Sequence, residues 1–400
     1  MPDTESYDYL QTTAAIRARA KEIHDAGRRG DLAHFRVHDA RLPEVAERVL
    51  QVTRSAYPAP REIPYHGRYR HFDVGGVLRL ERFLKGIADL SPEDQLRAST
   101  ELVITSVLLD AGAGPGWRYT EPDGRSYSRS EGLAVASYHL FMSGALDGDH
   151  RTAADAEGLS RFDAAHLASA FQVTEANPLT GVAGRAGLLR ELGAVVGSSP
   201  KYFGSPRPRL GDLGVWLQRS ARGGELPASA VLAAVLDALG PIWPGRERAE
   251  GRPLGDVWRH SRFGLVPFHK LSQWLSYSLL EPLEAAGVRI VAMDELTGLP
   301  EYRNGGLFLD AGVLELVDPR RTEIEHEVSS DLVIEWRALT VSLLDDLADS
   351  VRERLGLSRQ ELPLARVLEG GSWRAGRAIA KELREDGGPP LRIVSDGTVF

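Results

Sequence analysis

Cysteine is absent from the 400-residue chain, which removes disulfide scaffolds, thiolate zinc sites, iron–sulfur clusters and a cysteine nucleophile together. An excess of basic charge is missing as well. Lys and Arg number 48 against 56 Asp and Glu, a formal net charge of −8, so a nucleic-acid or anionic-membrane partner is not expected. Any anionic ligand then needs a local positive pocket. No apolar run reaches the roughly 18 residues of a membrane helix. The N-terminal stretch MPDTESYDYLQTTAAIRARAKEIHDAG lacks the apolar centre of a signal peptide, and the expectation is a soluble cytoplasmic protein.

Other absences narrow the chemistry. The glycines of LDAGAGPGWRY, from Leu109, match neither a Walker loop nor a dinucleotide fingerprint. There is no GxSxG elbow, and EIEHE at 323–327 has no second histidine four residues away. Neither a metal nor a cofactor is expected.

What the chain does contain is helical periodicity. Val45, Val49 and Val52 recur on one face, and ASAVLAAVLDALG after Pro227 stops at Gly240 before a proline. Leu332, Trp336, Leu339, Leu343, Leu347 and Val351 make a long stripe from Asp331 to about Leu355. Residues 100–109, apolar and rich in β-branched side chains, leave helix and strand open. Strand signals at 288–291, 307–309, 313–317 and 391–394 would fit one small sheet. The reading is mainly α with a few short strands. Residues 1–400 are expected to form one large intertwined helical domain, with 1–60 as a candidate N-terminal lobe.

Three segments carry candidate chemistry. After the buried run ending at Leu109, Asp110 opens a glycine-rich stretch in which Trp117 and Tyr119 offer stacking surfaces. Arg129 and Glu131 there supply charge at the start of a helix; the plainer explanation is that Ser130 and Glu131 cap it. In PFHKLSQWLSYSLL, Pro267 suits a first helical position. Lys270, Gln273, Trp274 and Tyr277 then share the face opposite Phe268, Leu271, Leu275 and Leu279, while His269 lies off the stripe as a structural histidine. In LTGLPEYRNGG, Glu301 precedes an Asn304-Gly305 turn, where a carboxylate suits a general base or the stabilisation of an oxocarbenium ion. Arg303 beside it suits a phosphate or carboxylate. PYHGRYRHF, with His66, Arg68, Arg70 and His71, reads as a phosphate patch or a solvated strand.

Taken in order, LDAGAGPGWRY, RSEGLAVASYHLF, NPLTGVAGRAGLL, LVPFHKLSQWLSYSLLEPL, LTGLPEYRNGGLFLDAGVL, IEWRALTVSLLD and the terminal GGPPLRIVSDGTVF resemble the uracil-catabolism protein family of the ring-opening pathway that passes through ribosylurea. A more distant likeness is to the queuosine-salvage nucleotide N-glycosylases, which carry a Phe-x-Lys-x-x-Gln helix followed by Asp-Tyr-Arg. Phe268, Lys270, Gln273, Tyr302 and Arg303 match, and Glu301 stands where that family has aspartate. These resemblances imply a fold similar to helix-hairpin-helix glycosylases. They also imply a hydrolase that cuts a ring-opened uracil ribonucleotide, expected as the 5′-phosphate, to urea and ribose 5-phosphate. On that basis Glu301, Lys270, Asp110 and Glu131 are the catalytic candidates. Tyr302, Arg303, Gln273, Trp274, Trp117, Tyr119 and Arg129 are the candidate substrate contacts. A small-molecule nucleotide or nucleoside is the expected partner, with a pathway enzyme as a further one. An amidohydrolase, or a non-catalytic partner of the ring-opening enzyme, are the alternatives.

Overall fold

The computed structural model describes residues 5–114, 116–204, 206–243 and 246–394. Helices dominate, joined by strands of two to four residues, so the chain is mainly α. The last six residues of the GGPPLRIVSDGTVF segment, and Pro115 within LDAGAGPGWRY, lie outside the described residues.

The longest helix, Asp331–Leu355, has the bounds its apolar stripe predicts. The Ser330 side chain caps it by accepting from the Val333 N–H, and Gly356 ends it in the left-handed conformation at φ 64°. Its stripe residues are all buried, and it packs on Thr13–Arg28 and Leu42–Ala56. The helix after Pro227 runs Ala228–Leu239 and stops at Gly240. The ambiguous 100–109 run belongs to the helix Pro92–Leu108, opened by Ser91 and by Pro92 in its first turn. Every residue from Ala98 to Leu108 is buried, so packing on all sides outweighs the weak β preference of its Val, Ile and Thr residues.

The strands correct one expectation. Strands do form at Arg289–Val291, Leu314–Leu316 and Arg392–Val394, yet they do not pair with one another. They join Glu225–Pro227, Phe35–Val37 and Glu325–Glu327 respectively, and every sheet among the described residues has two strands. Residues 307–309 are not a strand; they lie within the helix Tyr302–Asp310. Leucines and a phenylalanine over three positions carry no period of their own.

Contacts divide the described residues into two compact units. The first draws on Met1–His66, Gly245–Gln273 and Ala292–Ser395; the second on Gly67–Pro244 and Trp274–Val291. In the first, Tyr302–Asp310 packs against Trp373–Leu383 beside the long helix. In the second, Pro92–Leu108 packs on Arg129–Met142 and Asp212–Ser220. No described helix is long and apolar enough to cross a membrane.

Candidate active site

In the first unit the candidate residues gather at two helix N-termini. Pro267 is not a first helical residue: it closes the strand Gly264–Pro267, opposite Val257, and the helix Lys270–Ala285 starts three residues on. His269 between them takes a left-handed φ of 48°, and its ring Nε2 donates to the Leu10 carbonyl at 2.9 Å. What starts the helix is Asp256, whose Oδ2 accepts from the Lys270 N–H at 2.9 Å. Arg337 holds that carboxylate from the other side with two hydrogen bonds of 2.8 and 2.7 Å. Burial alone would raise the Asp256 pKa; the charge and hydrogen bonds of Arg337 outweigh it and keep the carboxyl well below the usual range.

Glu301 is the N-cap of the second helix. Its Oε2 accepts from the Arg303 N–H at 2.7 Å and its Oε1 from the Asn304 N–H at 2.6 Å. Asn304 and Gly305 therefore sit in the first turn of Tyr302–Asp310 rather than in a hairpin turn. An Asn-Gly pair cannot distinguish the two from sequence when an acidic cap precedes it. Burial raises the Glu301 pKa above the ordinary glutamate value; the two backbone hydrogen bonds and the charges of Lys270 and Arg303 oppose the rise. A carboxylate offers about four lone-pair positions, so the cap leaves room for water or a ligand.

Around this carboxylate, Lys270 is half-buried, and its charge acts on Glu301. Gln273, expected to contact substrate, is buried and spends its amide on Thr297, donating to Oγ1 at 3.0 Å and accepting from the backbone N–H at 3.4 Å. It ties the Lys270 helix to the segment leading into Glu301. Arg303 is 5% exposed and donates to the Gly387 carbonyl at 2.8 Å, with its guanidinium carbon 5.1 Å from the centre of the half-buried Tyr302 ring. Asp256, Arg337 and Thr297 carried no sequence signal; each acts through a partner dozens of positions away.

The remaining candidates belong to the second unit. Asp110, just past the helix Pro92–Leu108, accepts from Arg68 Nη1 at 2.7 Å and from the Ser130 hydroxyl at 2.8 Å to each oxygen. Ser130 is thus a partner of Asp110 and not a cap, and the helix Arg129–Met142 has no side-chain cap at Ser128. Arg129 opens that helix at φ 57° and, like Glu131, is half-buried; the Glu131 charge acts on Arg68. A Cβ on Gly132 would lie 2.7 Å from the Tyr127 carbonyl and 3.0 Å from the Trp117 ring, so only glycine fits there. Trp117 is core: fully buried, stacked on Phe171, with its indole N–H donated to the Phe171 carbonyl at 2.9 Å. Tyr119 stacks on His139 at 5.8 Å. Trp274 is buried against His71 and Arg68. Arg68 and His71 therefore belong to neither a solvated strand nor an exposed patch. The guanidinium is completely buried.

A family profile described as "Protein of unknown function (DUF1688)" matches residues 9–400. The chain belongs to the DUF1688 family. Protein urg3 of Schizosaccharomyces pombe (strain 972 / ATCC 24843) is 42% identical to it over 99% of this chain and 100% of that protein. Uracil catabolism protein 4 of Lachancea kluyveri is 37% identical over 98% of each. With such coverage, this DUF1688 chain aligns with both relatives along essentially their whole length.

Proposed function

We propose that this chain acts in uracil catabolism as an N-glycoside hydrolase, cutting a ring-opened uracil ribonucleotide of the ribosylurea type into urea and ribose 5-phosphate. The name of the Lachancea kluyveri relative supports the pathway. The observation that carries the chemistry is Glu301: a buried carboxylate held by two backbone N–H groups, with a raised pKa, under the influence of Lys270. The likeness to queuosine-salvage glycosylases at Phe268, Lys270, Gln273, Tyr302 and Arg303 supports the same reading.

In this reaction the C1′–N bond breaks, its electron pair goes to the urea nitrogen with a proton, and positive charge develops on the ribose. A fixed carboxylate facing that charge lowers the barrier without reorganising at the moment of reaction. Glu301 takes that role and then accepts a proton from the water that adds to C1′. Lys270 holds the carboxylate ionised or binds the phosphate, and Arg303 is the second cation for that anionic end.

The test is incubation of the purified chain with ring-opened uridine and with its 5′-monophosphate, followed by mass analysis. Urea and ribose 5-phosphate in equal amounts are expected. Ammonia release with the glycosidic bond intact would instead assign an amidohydrolase. No turnover of either compound would reject the hydrolase reading.

A further inference from the structure

Among the described residues, few buried side-chain nitrogens lack a hydrogen-bond partner, and two of them are neighbours in the second unit: Arg68 Nη2 and Trp274 Nε1. The Arg68 guanidinium carbon is 5.5 Å from the Trp274 ring centre. Both atoms are donors only. Leaving a buried donor unmade costs about 1–3 kcal/mol, so a pair of neighbouring ones asks for an explanation.

The rest of the Arg68 side chain is tightly committed. Its Nε donates to Ser106 at 2.6 Å, and Ser106 is bonded in turn to Ser137 at 2.6 Å. Nη1 donates to Asp110 at 2.7 Å. His71 Nδ1 lies 3.2 Å from both Arg68 Nη1 and the Ser130 hydroxyl. The hydroxyl gives its proton to Asp110, and Arg68 Nη1 can only donate, so His71 Nδ1 is the accepting side of its contact with the guanidinium. Arg185 fastens the backbone around Asp110, donating to the carbonyls of Leu109, Ala111 and, at 2.8 Å, Gly112. The cluster is therefore a preorganised frame with a charged acceptor, Asp110, and two donors that lack a hydrogen bond. It is walled by the flat rings of Trp274 and His71, whose centres are 5.8 Å apart. The charges of Asp110 and Glu131 act on Arg68, and that of Asp110 acts on Arg185 as well.

We propose that this cluster is a binding site for a small, planar, uncharged ureide or amide. Its carbonyl oxygen takes the free Arg68 and Trp274 donors, an N–H goes to Asp110, and a flat face lies against His71. Asp110 already holds the negative charge beside Arg68, so a phosphate there would be set against that carboxylate, and a cation would leave both donors unmet. Both donor atoms are closed to water, so the ligand reaches them through a local opening, and the hydrogen bonds it makes there are not in competition with solvent. The inference does not rest on the glycosidase reading, because every residue in it belongs to the second unit and none is Glu301 or Lys270.

The test uses the full chain carrying Glu301→Gln, so that no turnover interferes, with uracil as the probe. Titration followed by the indole N–H resonances, with Trp274 assigned by its absence in Trp274→Phe, should shift that resonance saturably. Trp274→Phe keeps an aromatic side chain, though a smaller one, and removes one donor, and Asp110→Asn keeps the shape and removes the charged acceptor. Each should weaken binding about fivefold to tenfold, the worth of one hydrogen bond. Tetramethylurea, with a carbonyl but no N–H, and methylguanidinium, with N–H but no carbonyl, should bind at least about tenfold more weakly than N-methylurea. Uracil binding that is unchanged in both variants, or a Trp274 resonance that never moves, would overturn the proposal. So would equal binding of the three small probes. Loss of uracil binding caused by Glu301→Gln itself, compared with the unmutated chain, would move the ligand elsewhere and overturn it as well.

Discussion

The Glu301 carboxylate starts a helix, and in the proposed reaction the same group faces the ribose. Glu301→Gln keeps both side-chain length and one capping oxygen, so the expected result is a folded protein whose turnover falls about 10²–10³-fold, the typical loss of one fixed electrostatic group. Steady-state assay on ring-opened uridine monophosphate checks it; unchanged turnover would remove Glu301 from the mechanism. Because burial raises the Glu301 pKa above 4.5, the ionised form required here is lost as pH falls through that raised value. The acid limb of kcat/KM should accordingly lie above pH 4.5 and vanish in Glu301→Gln. Lys270→Met, which removes a charge that favours the carboxylate, should move the same limb to higher pH. A limb that stays put would show that the two groups are not coupled. The acidic type and the neighbouring Arg at this site were legible in EYRNGG. The cap was not, since only the backbone course after residue 301 decides whether the carboxylate meets N–H groups or solvent.

At the scale of the elements, the site depends on how two helix starts are braced. Asp256 both accepts from the Lys270 N–H and pairs with the buried Arg337, so Asp256→Asn leaves a guanidinium without its charge partner. A loss of about 3 kcal/mol in urea unfolding is expected. Asp256→Glu, by contrast, should retain the charge while misplacing Lys270, lowering kcat more than stability. Below Glu301, Trp373–Leu383 lies so close to Tyr302–Asp310 that a Cβ on Gly376 would collide with the Arg303 carbonyl. Gly376→Ala must therefore push the capped turn and should cost about 1–3 kcal/mol, the usual penalty of overpacking. A variant as stable as the parent would show that the two helices can separate freely. The long helix was legible to within a residue because its stripe persists from Leu332 to Val351, nearly the whole length of the element. The sheet was not, because strands of three residues carry too few side chains to specify partners.

The molecule as a whole carries opposing titrations. Glu369 is buried among His66, Tyr57 and Arg374, with Nδ1 of His66 at 2.9 Å and the Tyr57 hydroxyl at 2.8 Å. Burial would raise its pKa; the hydrogen bond and charge of His66, with help from Tyr57 and Arg374, hold it at about 2. A carboxyl depressed in this way stabilises the folded state above its ordinary value of 4.5 and loses that contribution as pH falls through about 2. The difference is worth about 3 kcal/mol. Glu101 runs the other way. Burial lifts it to about 7 against the pull of Arg209, so its contribution is full below 4.5 and is lost as pH rises through about 7. Urea unfolding from pH 7 down to pH 2 should show Glu369→Gln less stable than the parent by about 3 kcal/mol at the top and equal to it at the bottom. Parallel curves would reject the assignment.

The amino-acid sequence by itself determined the helical class, the bounds of the longest helix, and the exclusion of thiol chemistry. These follow from composition and from periodicity within one element, where neighbours in space are also neighbours in sequence. It also marked Glu301, Lys270 and Asp110, because carboxylates and amines beside glycines or helix starts are visible as residue types. Tertiary structure alone decided what those groups touch. Arg68 reaches Asp110 across 42 positions and Arg337 reaches Asp256 across 81, and no local pattern encodes such a pairing. It also decided that Trp117 is core and that Gln273 serves Thr297, since burial of a side chain depends on which distant segments arrive to cover it.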